Sequence, residues 1–387
     1  MSYKRVTKFL CIVLFSKILF AQNSDLLKGI TIDQDNDFSG YELLEVTDQQ
    51  LFVLAEAWHN IRSVPSATLK TLQYLHQHGN VRILAIEQGK SVAYMMNEYL
   101  ETGDTTMLLH ITRNTMFWGK ENREFLWQLR KFNESLPVSE RVQVSSIDIE
   151  YKMESAVFVI NQFINGKTIP ESLRATVGEF ERIYEDTKSH REQFDGLSIM
   201  FYYDRDQMQQ LLINTINDLE KNSESYIDFF GDNFTQFATM ILEMDDGLSF
   251  DYTNPNTNYK FRDRIIYQNF KTLVDENPGV GILCVIGQRH AMRGSSISDL
   301  NTNEDSPLNS KVMVIRVSAL LNKAINSGDL RRINYNFPKQ LKEHQATLIN
   351  HAESDPILKS KKGLDYTLFI NASGYLTPYE NVLTEEY

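Results

Sequence analysis

Residues 51–60, LFVLAEAWHN, decide how this chain folds. Four apolar residues, Leu51 to Leu54, read as a strand, and Glu56 and His59 follow at its exit, ahead of a polar turn. A run this short and this apolar fits a strand covered on both faces, as in a parallel sheet flanked by helices. An acid and an imidazole at the exit of a core strand need a reason. It comes from the other strands.

The pattern recurs along the chain. Pro65 and Ser66 open a helix with Leu69, Leu72 and Leu75 on one side, and Gly79 stops it. VRILAIE (81–87) is a second buried strand, followed by a helix from about Ser91 to Leu100. KENREFLWQLRKFN (120–133) is amphipathic and leads to a third strand, RVQVSSIDIE (141–150). Strand signals then vanish from Met153 to about residue 250, where helical spacing predicts a large insertion closed by the TNPNTN loop (253–258). A helix through FRDRIIYQNFKTLVDENPG (261–279) returns the chain to a fourth strand, VGILCVIG (280–287). A polar loop to about Ser310, then KVMVIRVSALL (311–321) and YTLFINAS (366–373), complete the pattern. The expected class is α/β: a mostly parallel central sheet flanked by helices, built by residues 22–387 as one domain with the insertion at about 153–250.

Ionisable groups stand at the ends of all four buried strands. The first delivers Glu56 and His59, the second Glu87, the third Asp148 and Glu150, and the fourth, through GQRHAMR (287–293), Arg289, His290 and Arg293. In parallel sheets ligand sites form at the carboxyl ends of strands, where the loops converge. Each residue also has a plainer reading. His59 suits a satisfied core histidine beside Trp58, Asp148 suits a helix cap, and Arg262 or Arg264 on the helix suits a pair with surface acids. Glu87 is harder to dismiss, because its strand is too apolar to solvate a carboxylate. His76 and His78 lie at a helix end, where a cation complements the dipole, and read as structural.

Several chemistries are absent from the sequence. There is no G-x-S-x-G elbow, no phosphate-binding glycine loop after a strand, and no H-E-x-x-H zinc signature. Glu56 and His59 have E-x-x-H spacing but lack the partner helices of a di-iron site. The net charge of -12 argues against a nucleic-acid partner. Cys11 and Cys284 are the only cysteines, so metal sites built from cysteine pairs are excluded.

These residues resemble the erythromycin esterase-like family, which groups with the Tiki and ChaN proteins. AEAWHN (55–60) is similar to its G-E-x-x-H-G signature, with Ala55 and Asn60 in place of the glycines. LAIEQG (84–89), VSSIDIE (144–150), FRDRIIYQN (261–269), GQRHAMR and DYTLFINASGYLTP (365–378) resemble its later motifs in order. The likeness runs from about Gln50 to Thr377 and implies an α/β core with a helical insertion. It implies a hydrolase of a small ester, lactone or amide that needs no cofactor. His59 would activate water, Glu56 and Glu87 would orient it and hold the water, and His290 would line the same cleft. Arg262 or Arg264 would neutralise charge on the attacked carbonyl, and Asp148 and Arg289 would contact substrate. The same kinship leaves two rivals: a ChaN-like haem or iron binder using His or Tyr, and a Tiki-like peptidase with Glu56, His59, Glu87 and His290 around a divalent metal.

The first residues, MSYKRVTKFLCIVLFSKILFAQNSD, carry a basic start at Lys4, Arg5 and Lys8, a short apolar run, and Ala21 before polar chain. This is the pattern of a secretory signal over 1–21, and the only expected membrane contact. Export to the periplasm or beyond is therefore expected. N-terminal sequencing of exported protein should begin at Gln22; a start at Met1 contradicts the reading.

Overall fold

The computed structural model describes residues 27–32, 37–57, 59, 61–114, 117, 119–150, 153–193, 205–250, 255–319, 344–351, 362–371 and 376. The expected signal segment, Trp58 and Asn60 lie outside the described residues.

Among the described residues, eight strands form a single sheet: β1 (Leu27–Ile30), β2 (Leu51–Glu56), β3 (Val81–Ile86), β4 (Gln143–Ser146), β5 (Gly281–Gly287), β6 (Val312–Ala319), β7 (Ala346–Asn350) and β8 (Tyr366–Ile370). Their spatial order is β1-β7-β8-β6-β2-β5-β3-β4. The LFVLAE strand lies at the centre, parallel to β5 on one side and β6 on the other, with Leu54 opposite Val285 and Ile315. Strand β3 pairs in parallel with both β5 and β4. Because these strands all run the same way, their carboxyl ends reach one edge of the sheet.

Burial on both faces explains the apolar runs. Side chains alternate along a strand, so Phe52 and Leu54 join one core cluster while Leu51, Val53 and Ala55 join another. The first face is covered by α1 (Val64–His78), α2 (Lys90–Thr102), α3 (Thr105–Asn114), α4 (Lys120–Glu134) and the insertion. The insertion consists of α5 (Met153–Ile164), α6 (Val177–Gln193), α7 (Arg205–Phe230) and α8 (Phe234–Ser249). The second face is covered by α9 (Pro255–Glu276), a single turn α10 (Gln288–Ala291), and α11 (Ser296–Thr302).

The structure departs from the sequence reading in six places. Pro255 opens α9, so the last four residues of the expected TNPNTN loop are helical, as suits proline in a first helical turn. The third strand stops at Ser146, and Ile147 to Glu150 run on as irregular chain. The polar stretch before Ser310 contains α11. Helix α3 was not anticipated, and neither were β1 and β7. The last two make the sheet mixed, since β7 runs antiparallel to β1 and β8.

Insertion and core meet closely at Gly247 of α8. A Cβ there would strike the backbone carbonyl of Glu150 and come within 3.0 Å of Met153 Cε. Alanine in a helix interior ordinarily gains about 0.5–1 kcal/mol over glycine. Here the clash reverses the sign: G247A is expected to lose about 1–3 kcal/mol in a urea titration. A neutral or stabilising G247A would contradict this packing.

Candidate active site

Strand direction and strand pleat together place the ionisable groups. Glu56 is in phase with Phe52 and Leu54 and leans toward the α1 and α4 side. His59 reaches back over the strand end, with Nδ1 2.8 Å from Glu56 Oε2. An ionised carboxylate only accepts, so in the neutral ring Nδ1 carries the proton and Nε2 is left with a lone pair. Glu56 is buried, whereas 41% of the His59 side-chain surface is open. Burial works against charge on the His59 ring, but the hydrogen bond to Glu56 and the charges of Glu56 and Glu87 outweigh it and raise its pKa. Burial raises Glu56 in turn, despite the hydrogen bond from His59.

Glu87, one residue beyond β3, is in phase with Ile83 and Ala85 and belongs to the other face. Its Oε2 accepts the backbone N–H of Gly287 at 2.6 Å, and its Oε1 accepts from Arg262 Nη2 at 2.8 Å. His290 Nε2 lies 3.5 Å from the same Oε1. Although burial disfavours its charge, the neighbouring His290, Arg262 and His59, with the Gly287 N–H, hold the Glu87 carboxyl below the usual range. Gly287 allows the convergence. A Cβ at that position would lie 3.1 Å from His59 Nε2 and 3.3 Å from Glu87 Oε2, so a side chain would crowd both groups by a few tenths of an ångström.

Arg262, on α9, is shared between two strand ends. Besides Glu87 it binds Asp148, with Nε on Oδ1 at 3.1 Å and Nη2 on Oδ2. Asp148 also accepts the Ile149 N–H at 2.9 Å, so its cap-like bond serves the loop after β4. Asp148 is fully buried, and burial raises its pKa against the pull of Arg262. Thus Glu56, His59, Glu87, Asp148, Arg262 and His290 form one connected constellation. Arg264, two residues on, points elsewhere: it is exposed and lines a groove with Lys260 and Asp299. Arg289 is also exposed, with its guanidinium 3.3 Å from the centre of the Tyr259 ring. His76 binds the Glu140 carbonyl at 2.8 Å and packs edge-on to Phe132, away from the constellation.

Beside Glu56 and His59 opens a narrow pocket with a cavity volume of about 40 Å³, continuous with solvent. Its walls are mostly apolar, including Val64, Leu84, Ile86, Phe117 and Phe125, with Thr68 and Asn122 as polar points. Among the described residues no group of three or more His, Cys, Asp or Glu is arranged to hold a metal ion.

The sequence reading missed two acids at this edge. Glu243 of α8 is buried beside Glu150 and Asp148, and burial lifts it to about 8 despite Lys90, whose Nζ is 3.8 Å away. Its signal was a lone carboxylate on the apolar face of FTQFATMILEM. Asp263 was passed over between the two arginines of the α9 motif, yet it bonds His290 Nδ1 at 2.7 Å.

Arg262 neutralises two buried acids, so its loss must be felt in stability. R262M is expected to cost about 3–5 kcal/mol at neutral pH, because it leaves buried carboxylates without their cation. Glu87 contributes stability above its unfolded pKa and loses it as pH falls through the lowered folded value. The R262M deficit should therefore shrink on acidification, as the carboxylates take up protons. A deficit that is constant with pH in denaturant titrations would contradict this assignment.

Comparison with known proteins bears on this constellation. A Bacillus cereus protein superposes with a TM-score of 0.60 at 14% identity, over 92% of this chain and 98% of its own. A histidine-to-asparagine mutant of the erythromycin esterase EreC, in its open conformation, gives 0.60 at 13% identity, over 90% and 98%. Both likenesses concern the fold. Haem-bound ChaN of Campylobacter jejuni reaches a TM-score of only 0.34 at 12% identity, over 90% and 97%, too low to bear on this chain. No curated protein matches the sequence. The erythromycin esterase family model matches residues 76–287, which take in Glu87, Asp148 and Arg262. This chain, with its mixed sheet and helical insertion, belongs to the erythromycin esterase family.

Proposed function

We propose that this protein is an exported hydrolase that cleaves an ester, lactone or amide of a small molecule with a water activated by His59. The observation that carries the reading is the Glu56–His59 pair: a 2.8 Å acid–imidazole contact at the mouth of an apolar pocket, with Nε2 turned away from Glu56. A positioned imidazole near neutral pKa is suited to take a proton from water, and the carboxylate behind it stabilises the imidazolium that forms. Nε2 lies close to Gly287 and Glu87, so the water would sit between His59 and the Glu87 carboxylate.

In the reaction, the water oxygen bonds to the carbonyl carbon while its proton passes to His59. The bond to the leaving group then breaks, the leaving atom takes a proton from His290 Nε2, and the proton left on His59 passes to His290 before the next turnover. Arg262 is committed to Glu87 and Asp148, so its first task is to fix Glu87. The role of oxyanion partner expected of it is thereby narrowed to its electrostatic field. The apolar walls beside His59 favour an uncharged group on the substrate, and Thr68 and Asn122 offer it polar contacts. Arg289, exposed over Tyr259, could meet substrate only at the rim. Export rests on the basic and apolar start of the sequence.

A panel of aryl and alkyl esters and lactones tests the reading. Wild-type protein should hydrolyse at least one class, and H59A should lower kcat by about 10²-fold or more. The rate should rise with pH through a pKa above 6.5, since His59 is raised and works as the free base. E56Q removes the charge and carboxylate acceptor that raise His59, so that limb should move to lower pH as the plateau falls. Absence of hydrolysis across the panel, or activity indifferent to H59A, contradicts the proposal.

A further inference from the structure

His290 stands between two carboxylates, and the distances to them differ. Its Nδ1 is 2.7 Å from Asp263 Oδ1, a full hydrogen bond, while its Nε2 is 3.5 Å from Glu87 Oε1. A neutral imidazole has one N–H to give. In the neutral ring these distances put that proton toward Asp263 and leave Nε2 facing Glu87 with a lone pair.

The surroundings fix this arrangement. Asp263 Oδ1 also accepts from Ser296 Oγ at 3.2 Å, and Ser295 Oγ donates to the His290 carbonyl at 2.6 Å. The ring is buried, with the Tyr259 ring centre 5.9 Å away. Asp263 is partly open and lines the polar groove that contains Lys260 and Arg264.

We propose that Asp263 is the positioning residue for His290, and that it sets the imidazole tautomer so that Nε2 is the nitrogen that accepts and releases protons beside Glu87. The gap between Nε2 and Glu87 Oε1 is then a place for one more proton. When that proton arrives, the imidazolium lies between two carboxylates and donates to both. When it leaves, the Nδ1–H bond to Asp263 keeps the ring in register. The arrangement repeats that of Glu56 and His59: each imidazole is held through Nδ1 by an acid and offers Nε2 near Glu87. The role of Asp263 in turnover rests on the hydrolase reading above; its control of the tautomer does not.

Nitrogen NMR of the imidazoles in the ¹⁵N-histidine-labelled full chain tests the tautomer directly, with His290 identified by its loss in H290Q. In neutral wild-type His290, Nδ1 should carry the proton. In D263A the proton should move to Nε2, because Glu87 is then the remaining carboxylate in reach. D263N keeps the shape and an acceptor oxygen and should retain the Nδ1–H tautomer, which guards against a variant that fails to fold. On any ester the wild type hydrolyses, D263N should lose about tenfold or more in kcat, with KM within about twofold, for want of a charge to stabilise the imidazolium. D263E should recover part of the loss. An Nε2–H tautomer in the wild type, an unmoved tautomer in D263A, or an unchanged kcat in an active D263N would overturn the proposal. A wild type inactive on all esters would remove the hydrolase reading alone, leaving the spectra to decide for Asp263.

Discussion

The cluster depends on one half-buried cation. Arg262 stands between Glu87 and Asp148, which arrive on neighbouring strands, and its guanidinium is the fixed charge bonded to both acids. Without it, desolvation would protonate the carboxylates or push the strand ends apart. With it, and with His290 and His59 close by, the Glu87 carboxyl is held below its usual range in a buried place. A helix from the second face of the sheet thus fixes the chemistry of acids delivered by the strands.

The sheet supplies the other half of the constraint. Parallel pairing of β2, β5 and β3 brings Glu56, Gly287 and Glu87 to one edge, and the pleat sends Glu56 and Glu87 to opposite faces. His59 closes that separation from above, and the absence of a side chain at Gly287 leaves it room. The site therefore has an apolar side, walled by α1 and α4, and a polar side built from α9 and the turn after β5. A substrate carbonyl reaching His59 would meet the boundary between them.

The elements nearest this edge were the most legible in the sequence. A strand such as VRILAIE announces itself by its apolar run and by the cost of leaving Glu87 unpaired, and four such exits pointed to one crevice. The third strand was legible in place but proved shorter, because after Ser146 the backbone turns to bond Gln88 and Glu243. Strands β1 and β7 were illegible because LKGI and ATLIN are too short for periodicity to speak, and their place is decided by pairing far along the chain. Of the two arginines on α9, spacing could not say which faces the acids. They lie two apart, on different sides of a helix, and only packing distinguishes Arg262 from Arg264. Asp263 and Glu243 were hidden for a related reason: each is explained by a partner distant in sequence, His290 for one and Glu150 with Lys90 for the other.

The central claim is that His59 and His290 serve one substrate beside Glu87. A crystal structure with a phosphonate ester, a stable mimic of the tetrahedral intermediate, tests it most directly. The account predicts a phosphonyl oxygen within hydrogen-bond reach of His59 Nε2, His290 on the leaving-group side, and the apolar substituent against Leu84 and Phe125. A phosphonate seated away from this edge, or the two imidazoles on separate surfaces, would contradict it.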